Sequence, residues 1–310
     1  MIYNRIKFRH LQCFLEVARQ RSVGRAADSL SLSQPAVSKK LKELEEMLGV
    51  RLMERNKNGV TMTGFGEVFL KYAGASVNAL REGADSISQA RMKSKTSLTI
   101  GILPTVAASI LPMAVERFRK LGMDVTLKLI SAPNNFLLGQ LRVGDLDLVV
   151  GRLAEPAHMS GLSFQHLYSE SLVFAVRKGH PLLKKERLSF MDIRDYTVLF
   201  PVEGSIIAKV AKSVLVAEGV GELPDVIEVI SGAFGKEYVR QTDAIWIISH
   251  GVAAPQIGLG VLEALPLGTE DTLGPVGLTT RADTIPSPTM QLFMHAVRDE
   301  AEAQKPGFGR

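Results

Sequence analysis

The chain has 310 residues, of which 46% are hydrophobic and 22% charged, as in folded proteins with two or three domains. Its single cysteine excludes a disulfide framework and a cysteine-based zinc cluster, and it fits a reducing compartment. No apolar run approaches the roughly 18 residues that span a bilayer. The N-terminus lacks the apolar core of a signal peptide, because Arg5, Lys7 and Arg9 interrupt it. We therefore expect a cytoplasmic protein that has no membrane partner.

Charge is distributed unevenly along the chain. Residues 1–95 hold 17 Lys and Arg against 9 Asp and Glu, a net charge of +8. The remainder of the 37 basic and 32 acidic residues leaves 20 against 23, a net charge of −3. A basic block ahead of a mildly acidic body predicts that the first block binds a polyanion, although charge alone fits a solvated basic face equally well.

Residues 1–62 have the pattern of short helices followed by a hairpin. Two amphipathic segments, around Phe14 and around Ala26, precede a third helix that Ser33 would cap and Gly49 would end. The apolar stripe of this third helix consists of Val37, Leu41, Leu44 and Leu48. An Asn-Gly pair at 58–59 marks the tip of the hairpin.

This arrangement fits a winged helix-turn-helix DNA-binding domain over residues 1–62. The side of the third helix opposite its apolar stripe carries short polar and basic side chains, which suit the major groove of DNA. The hairpin would be a wing on the DNA backbone or in the minor groove. The candidate DNA-binding residues are Gln34, Pro35, Ser38, Lys39 and Lys42 on the helix, and Arg55 and Lys57 on the wing.

The alternative for the third helix is an ordinary solvated face. Its lysines would then merely balance Glu43, Glu45 and Glu46. These acids lie toward the C-terminal half of the helix, where they would remain outside the groove. Their position favours DNA binding.

Residues 63–92 form one long helical pattern, which we interpret as a linker and dimerisation helix. Apolar and small residues recur at alternating steps of four and three, as in a coiled-coil seam: Phe69, Ala73, Ser76, Leu80, Gly83, Ile87 and Ala90. A helix this long usually packs against a second chain. The alternative is a helix that packs on its own domain.

From residue 93 onward, strands and helices alternate, which predicts mostly parallel sheets with helices on both faces. About 200 residues exceed one such sheet, so we expect two lobes. Lobe 1 would comprise 93–165 and 267–310, lobe 2 would comprise 166–266, and crossings would lie near 152–166 and 264–268. The predicted strands are 98–103, 125–130, 146–150, 172–176, 197–200, 244–248 and 276–280. The predicted helices are 111–121, 136–143, 205–217, 233–241 and one from 287.

A ligand site is expected between the lobes, because α/β sheets bind ligands beyond the carboxyl ends of their strands. Hydroxyl and amide side chains and helix starts there suit an anionic metabolite. Ser and Thr before helices are more often caps than ligands, and Arg152 would either pair with the ligand or bridge the lobes. The candidate effector-binding residues are Thr105, Asn134, Asn135, Arg152, Pro201 and Ser205.

Signals for catalysis, cofactors and metals are weak throughout the sequence. The six histidines include no His-x-x-x-His pair, and no Gly-x-Ser-x-Gly elbow occurs. We expect no catalytic residue, no cofactor and no metal. An enzyme or a two-lobed solute-binding protein is the remote alternative to a regulator.

The order of short motifs resembles the LysR-type transcriptional regulators. In the head these are Phe-Leu-Glu-Val-Ala at 14–18, Ala-Ala at 26–27, Leu-Ser-Gln-Pro-Ala-Val-Ser-Lys at 32–39, Leu-Gly-Val at 48–50 and Glu-Arg at 54–55. Later motifs are Leu-Pro at 111–112, Gly-Asp-Leu-Asp-Leu-Val at 144–149 and His-Pro-Leu at 180–182. The resemblance covers nearly all of the chain.

This resemblance implies a multidomain α+β protein with two winged heads on a dimer, and with a two-lobed effector domain like periplasmic binding proteins. It also implies a homodimer that assembles into a homotetramer on an interrupted dyad of double-stranded DNA, with RNA polymerase as a further partner. The family leans to activation with autorepression, and repression stays open.

Segments 5–11 and 141–152 resemble the branch of the family that regulates protocatechuate catabolism. We therefore expect an effector-responsive activator of a catabolic operon for aromatic acids. A regulator of sugar uptake or of another metabolic operon is the alternative.

Overall fold

The computed structural model describes residues 5–56, 59–91 and 96–308. The predicted wing residue Lys57 lies outside these ranges. The helices are α1 (Phe8–Gln20), α2 (Val23–Ser29), α3 (Gln34–Leu48), α4 (Gly64–Arg91), α5 (Pro104–Ala108), α6 (Leu111–Arg119), α7 (Asn134–Arg142), α8 (Ile206–Ala217), α9 (Gly232–Gln241), α10 (His250–Gly258) and α11 (Pro288–Phe308). The strands are β1 (Met53–Asn56), β2 (Gly59–Met62), β3 (Thr96–Ile102), β4 (Val125–Ser131), β5 (Leu148–Arg152), β6 (Leu162–Glu170), β7 (Leu172–Arg177), β8 (Val198–Pro201), β9 (Val226–Val229), β10 (Ile245–Ser249), β11 (Leu262–Ala264) and β12 (Gly274–Arg281).

The head is a three-helix unit with a two-stranded wing, as predicted. The Ser33 hydroxyl accepts a hydrogen bond from the Ala36 amide at 3.4 Å and so caps α3. Gly49 ends α3 with a φ of 72°, a left-handed conformation that costs glycine little. Antiparallel strands β1 and β2 then form the wing. We refer to residues 5–62 of this unit as the head.

The long helix α4 packs its first half on the head of its own chain. The Phe69 ring meets the Phe14 ring edge to face with 5.2 Å between centroids, and Ala73 is buried in the same apolar cluster. The predicted dimer seam is therefore wrong at Phe69 and Ala73, because α1 already covers that side of α4. The side chains predicted for the seam beyond Leu80 lie outside the described part of the chain.

Lobe 1 is built on a five-stranded sheet in the order β4-β3-β5-β12-β6. Helices α6 and α11 cover one face of the sheet, with the Phe118 and Phe293 rings 5.4 Å apart between centroids. Helix α7 covers the other face through Leu137, Leu138 and Leu141. Apolar burial on both faces stabilises the lobe.

Lobe 2 repeats this layering on a sheet in the order β11-β7-β10-β8-β9. Helix α8 lies on one face, with Ala208, Ala211 and Leu215 buried. On the other face, Trp246 is buried in the same cluster as Val239 of α9 and Ala253 of α10. The prediction of two lobes with helices on both faces agrees with this arrangement.

The prediction of mostly parallel sheets is wrong. Strand β3 pairs in parallel with β4 and β5, but β12 pairs antiparallel with β5 and β6. In lobe 2, β8 pairs in parallel with β9 and β10, whereas β7 pairs antiparallel with β10 and β11. Strands β6, β7, β11 and β12, which make the antiparallel pairs, lie where the chain leaves or enters a lobe.

The crossings between the lobes lie later in the chain than expected. The predicted boundary at 165/166 falls inside β6, which remains in the lobe 1 sheet up to Glu170. Ser171 alone separates β6 from β7 of lobe 2. The second crossing joins β11 to β12 through a short 3-10 turn at Glu270–Thr272. Two extended segments side by side therefore connect the lobes.

Candidate functional site

Helix α3 presents the predicted DNA-contacting side chains on one exposed surface. Gln34, Pro35, Lys39 and Lys42 are exposed and Ser38 is half-buried. The apolar stripe on the opposite side holds the helix against α1 and α2, with Val37, Leu41 and Leu44 buried. An exposed helix face with short polar and basic side chains suits a major groove.

The acids of α3 are largely engaged within the head. The carboxylate of Glu43 lies 3.3 Å from Nε2 of the buried His10. Glu45 Oε1 accepts hydrogen bonds from the Leu52 amide at 2.8 Å and the Met53 amide at 3.2 Å. Glu46 lies 3.7 Å from the ammonium of Lys42. Glu43 and Glu45 are therefore held by the head, whereas Glu46 lies beside one of the candidate DNA contacts.

Glu45 has a structural role that the sequence analysis did not assign to it. Glu45 lies in α3, whereas the Leu52 and Met53 amides, which donate hydrogen bonds to it, lie at the start of β1. Its carboxylate therefore ties the start of wing strand β1 to helix α3. Arg55, on β1, and Lys57 remain predicted contacts, because the Arg55 side chain and Lys57 lie outside what the structure describes.

A cavity of about 790 Å³ opens between the two lobes. Three of the predicted effector-binding residues line it: Asn134 and Asn135 at the start of α7, and Ser205 at the start of α8. Within the described residues, Asn134 Nδ2 is buried and has no hydrogen-bond partner. The Ser205 hydroxyl caps α8 by accepting from the Ala208 amide at 3.3 Å. The Asn134 amide group, a hydrogen-bond donor, and the N-terminus of α8 thus both lie at the cavity between the lobes.

Charged residues that were not predicted complete the cavity wall. Lys209 and Lys212 of α8 line it together with Glu155, His158 and Glu203. Lys209 Nζ donates to Glu155 Oε1 across the lobes at 2.8 Å, and this hydrogen bond holds the pKa of Glu155 below its usual range. The spacing 205, 209 and 212 places these side chains on one helix face, a signal that was available in the sequence.

Thr105, Arg152 and Pro201 do not line this cavity, contrary to their prediction as effector-binding residues. Pro201 is buried at the end of β8. The Thr105 hydroxyl donates to Glu170 Oε1 at 2.5 Å. The Arg152 guanidinium donates to the backbone oxygens of Glu170 and Thr272, which lie on the two crossings. Arg152 thus bridges the lobe connections, one of its two predicted roles.

These residues belong to a buried polar group, here called the hinge cluster: Thr105, Arg152, Tyr168, Glu170 and Gly251. Glu170 is fully buried, and its Oε2 accepts from the Gly251 amide in the first turn of α10 at 3.0 Å. Burial lowers the pKa of the Arg152 guanidinium, an effect that the Glu170 charge opposes. Burial and Glu170 raise the pKa of Tyr168. One carboxylate therefore binds lobe 1 through Thr105 and lobe 2 through Gly251.

Neither a metal site nor a membrane span is found in the part of the chain that the structure describes. Its His, Cys, Asp and Glu side chains form no group of three that could hold a metal ion. Its helices include none that is both long and apolar enough to cross a membrane.

Two family models match the chain. Residues 8–67 match the bacterial regulatory helix-turn-helix protein, lysR family, and residues 93–302 match the LysR substrate binding domain. The chain is 51% identical to the HTH-type transcriptional regulator PcaQ of Agrobacterium fabrum over 97% of either chain. It is 33% identical to the HTH-type transcriptional regulator YdcI of Escherichia coli over 95% of either chain.

Solved full-length structures share the fold. Full-length LysG from Corynebacterium glutamicum with bound effector arginine gives a TM-score of 0.63 at 21% identity, over 96% of this chain and 99% of that one. Full-length CbnR, a LysR family transcriptional regulator, in complex with its target DNA gives 0.53 at 24% identity, over 95% of this chain and 100% of that one.

Proposed function

The chain belongs to the LysR family of bacterial transcriptional regulators, and on that premise we propose that an anionic metabolite in the interlobe cavity controls its binding to an interrupted dyad operator. The observation that carries the DNA-binding part is the exposed surface of α3, whose acids are largely held by the head. Gln34 would hydrogen-bond to the edge of a base, and Ser38 would contact a base or a phosphate. Lys39 and Lys42 would contact phosphates or guanine. Arg55 and Lys57 on the wing would contact the adjoining backbone or minor groove.

Removing both Lys39 and Lys42 from the exposed surface of α3 should lower the affinity for DNA. It should also make this affinity less sensitive to salt concentration. Each lysine that contacts a phosphate releases about one counterion, so Lys39→Ala with Lys42→Ala should lower the slope of log affinity against log salt by about 2. The measurement is a titration of the intergenic fragment upstream of the protein's own gene at several salt concentrations.

The matched control for this experiment is Lys120→Ala with Lys236→Ala, which removes the same charge from the two lobes. We expect the control to keep the wild-type slope. A wild-type slope in the Lys39 and Lys42 variant would contradict the assignment of α3 as the DNA-reading helix.

We propose that two chains pair along α4. After Phe69 and Ala73 pack on the head, an apolar row remains exposed along the helix: Phe65 at 63%, Val68 at 62%, Tyr72 at 60% and Leu80 at 60%. Exposed apolar side chains at helical spacing are typical of a helix whose partner is a second helix. Pairing through this face would set two heads on the two halves of a dyad, and association of two dimers would give the tetramer.

We propose that the effector carries a carboxylate. The unpartnered Asn134 Nδ2 and the start of α8 suit an anion. Lys209 and Lys212 would bind it in exchange for Glu155 and Glu203, which lie 2.8 Å and 4.0 Å from their ammonium groups. The resemblance of segments 5–11 and 141–152, together with the 51% identity to PcaQ, supports an aromatic acid of the protocatechuate pathway and activation of its catabolic operon. Such a regulator would act in the cytoplasm with RNA polymerase.

A thermal-shift screen tests the effector. We expect protocatechuate or a muconate-like dicarboxylate to stabilise the effector domain, by about 2.7 kcal/mol at a hundred times its Kd, whereas galactose should not. Asn134→Ala and Lys212→Ala should each weaken the response about tenfold, and Lys184→Ala, outside the cavity lining, should not. Stabilisation by the sugar alone would favour a regulator of sugar uptake instead.

A further inference from the structure

Helix α4 and lobe 1 of the same chain touch at one closely packed point. A Cβ atom on Gly74 of α4 would lie 2.5 Å from the Arg142 backbone oxygen at the end of α7. Val143, the next residue, is buried in the apolar cluster of the head together with Ala73 and Val77. The backbones of α4 and α7 approach so closely here that only a hydrogen atom, and no side chain, fits on the Cα atom of Gly74. This contact fixes the distance between α4 and the end of α7.

Two further contacts surround this point. Arg19 of α1 lies 3.5 Å from Asp145, and the Arg19 guanidinium is itself held by Glu16 at 2.7 Å. A Cβ atom on Gly161 would lie 3.3 Å from the Lys71 side chain of α4. The contact therefore joins both α1 and α4 to lobe 1.

The other end of α7 reaches the interlobe cavity. Asn134 and Asn135, in its first turn, line the cavity, and Arg142 ends the helix against α4. Nine residues at 1.5 Å each make α7 about 13 Å long. The Arg142 guanidinium also donates to the backbone oxygens of His158 and Ser160, and His158 is a cavity residue. Cavity and head are thus linked along α7 and through the 158–160 turn.

We propose that α7 transmits the state of the interlobe cavity to the DNA-binding head within one chain, through the contact of residues 142–145 with Gly74 and Arg19. This inference rests on the proposed DNA-binding function of the head. A ligand that moves the Asn134 end of a short, stiff helix must also move its other end, because packed interfaces shift between discrete positions and do not deform gradually. Such coupling is reciprocal, so DNA bound to the head must change the dynamics of α7.

Hydrogen–deuterium exchange of the full-length protein, with and without the intergenic DNA fragment, tests the inference without an effector. In the wild type we expect DNA to slow exchange in α3 and, about fivefold or more, in the peptide that covers 136–143. Gly74→Ala should keep the slowing in α3 and abolish it in α7, because the added methyl group separates α4 from Arg142. Gly64→Ala is the matched control, since Gly64 lies in the same helix as Gly74, outside the measured α7 peptide, and a Cβ there meets nothing within 4 Å.

Charge reversal provides a second variant that does not depend on packing. Asp145→Arg should weaken the α7 response, and Arg19→Asp combined with Asp145→Arg should restore part of it. The inference would be overturned, and DNA binding would stand, if DNA left the exchange rate of the α7 peptide unchanged in the wild type. The same holds if DNA still slowed exchange of this peptide in Gly74→Ala. Absence of slowing in α3 would instead overturn the proposed DNA-binding function and this inference with it.

Discussion

Glu170→Ala should destabilise the two-lobed domain by about 1–3 kcal/mol for each buried donor that loses its acceptor, and two donors lose theirs. The Glu170 carboxylate is fully buried, accepts from the Thr105 hydroxyl at 2.5 Å and from the Gly251 amide at 3.0 Å, and lies near the charge of Arg152. Alanine would leave the Thr105 hydroxyl and the Gly251 amide without an acceptor and Arg152 without a counter-charge. Urea denaturation, followed by Trp246 fluorescence, measures the change.

Glu170→Gln separates charge from hydrogen bonding at this position. An amide oxygen keeps one acceptor, so we expect a loss smaller than that of the alanine variant. Glu155→Ala is the control, because this carboxylate also bridges the lobes, through Lys209, but is solvent-exposed. A Glu170→Ala protein that unfolds at the wild-type urea concentration would contradict the role assigned to the hinge cluster.

Glu45→Ala should lower DNA affinity about tenfold, or ~1.4 kcal/mol, and destabilise the head by about 1–3 kcal/mol. The reason is that the Leu52 and Met53 amides lose their shared acceptor where the chain turns from α3 into the wing. Glu45→Gln retains an oxygen acceptor, so its losses of DNA affinity and of stability should both be smaller. DNA titration, together with thermal unfolding of the full-length protein, measures both effects.

Glu46→Ala is the matched control, since it removes a neighbouring carboxylate from the same helix. Glu46 lies exposed beside Lys42, 3.7 Å from its ammonium, and stability should change by less than about 0.5 kcal/mol. DNA affinity should stay equal or rise slightly, because the variant removes the acid that lies beside the Lys42 ammonium. Equal losses of affinity in the Glu45 and Glu46 variants would show that charge, and not wing position, decides the effect.

Local patterns predicted the head almost completely. The Ser33 cap, the apolar stripe of α3 and the Gly49 end involve residues that interact within a few positions of one another, so the sequence contains all the partners. The same holds for the wing and for the start and end of α4. The exposed face of α4 was predicted wrongly at Phe69 and Ala73, because it depends on where α1 lies, whereas Leu80 does belong to that face.

The sequence predicted only some of the residues that line the candidate cavity. The residues that it misassigned interact with partners far away along the chain. Ser205 and Asn134 were found because helix starts and strand ends are visible locally. Thr105 was assigned to the ligand by the same rule, although its hydroxyl is taken by an acid 65 positions later. Antiparallel pairing of β12 with β5 and β6 was missed for an equivalent reason, since β12 begins more than 100 residues after either strand.

The sequence by itself therefore determined most of the elements, the Ser33 and Ser205 caps, the basic helix α3 and the two-lobed division, because short-range hydrogen bonds and apolar periodicity specify each of them. It did not predict strands β6, β9 and β11 or helices α5 and α10. The tertiary structure alone decided which buried polar groups satisfy one another. Glu170 accepts from Gly251 over 81 positions of the chain, and Arg152 reaches Thr272 over 120. Such pairs form only when folding removes water from both partners, and no local pattern encodes that condition.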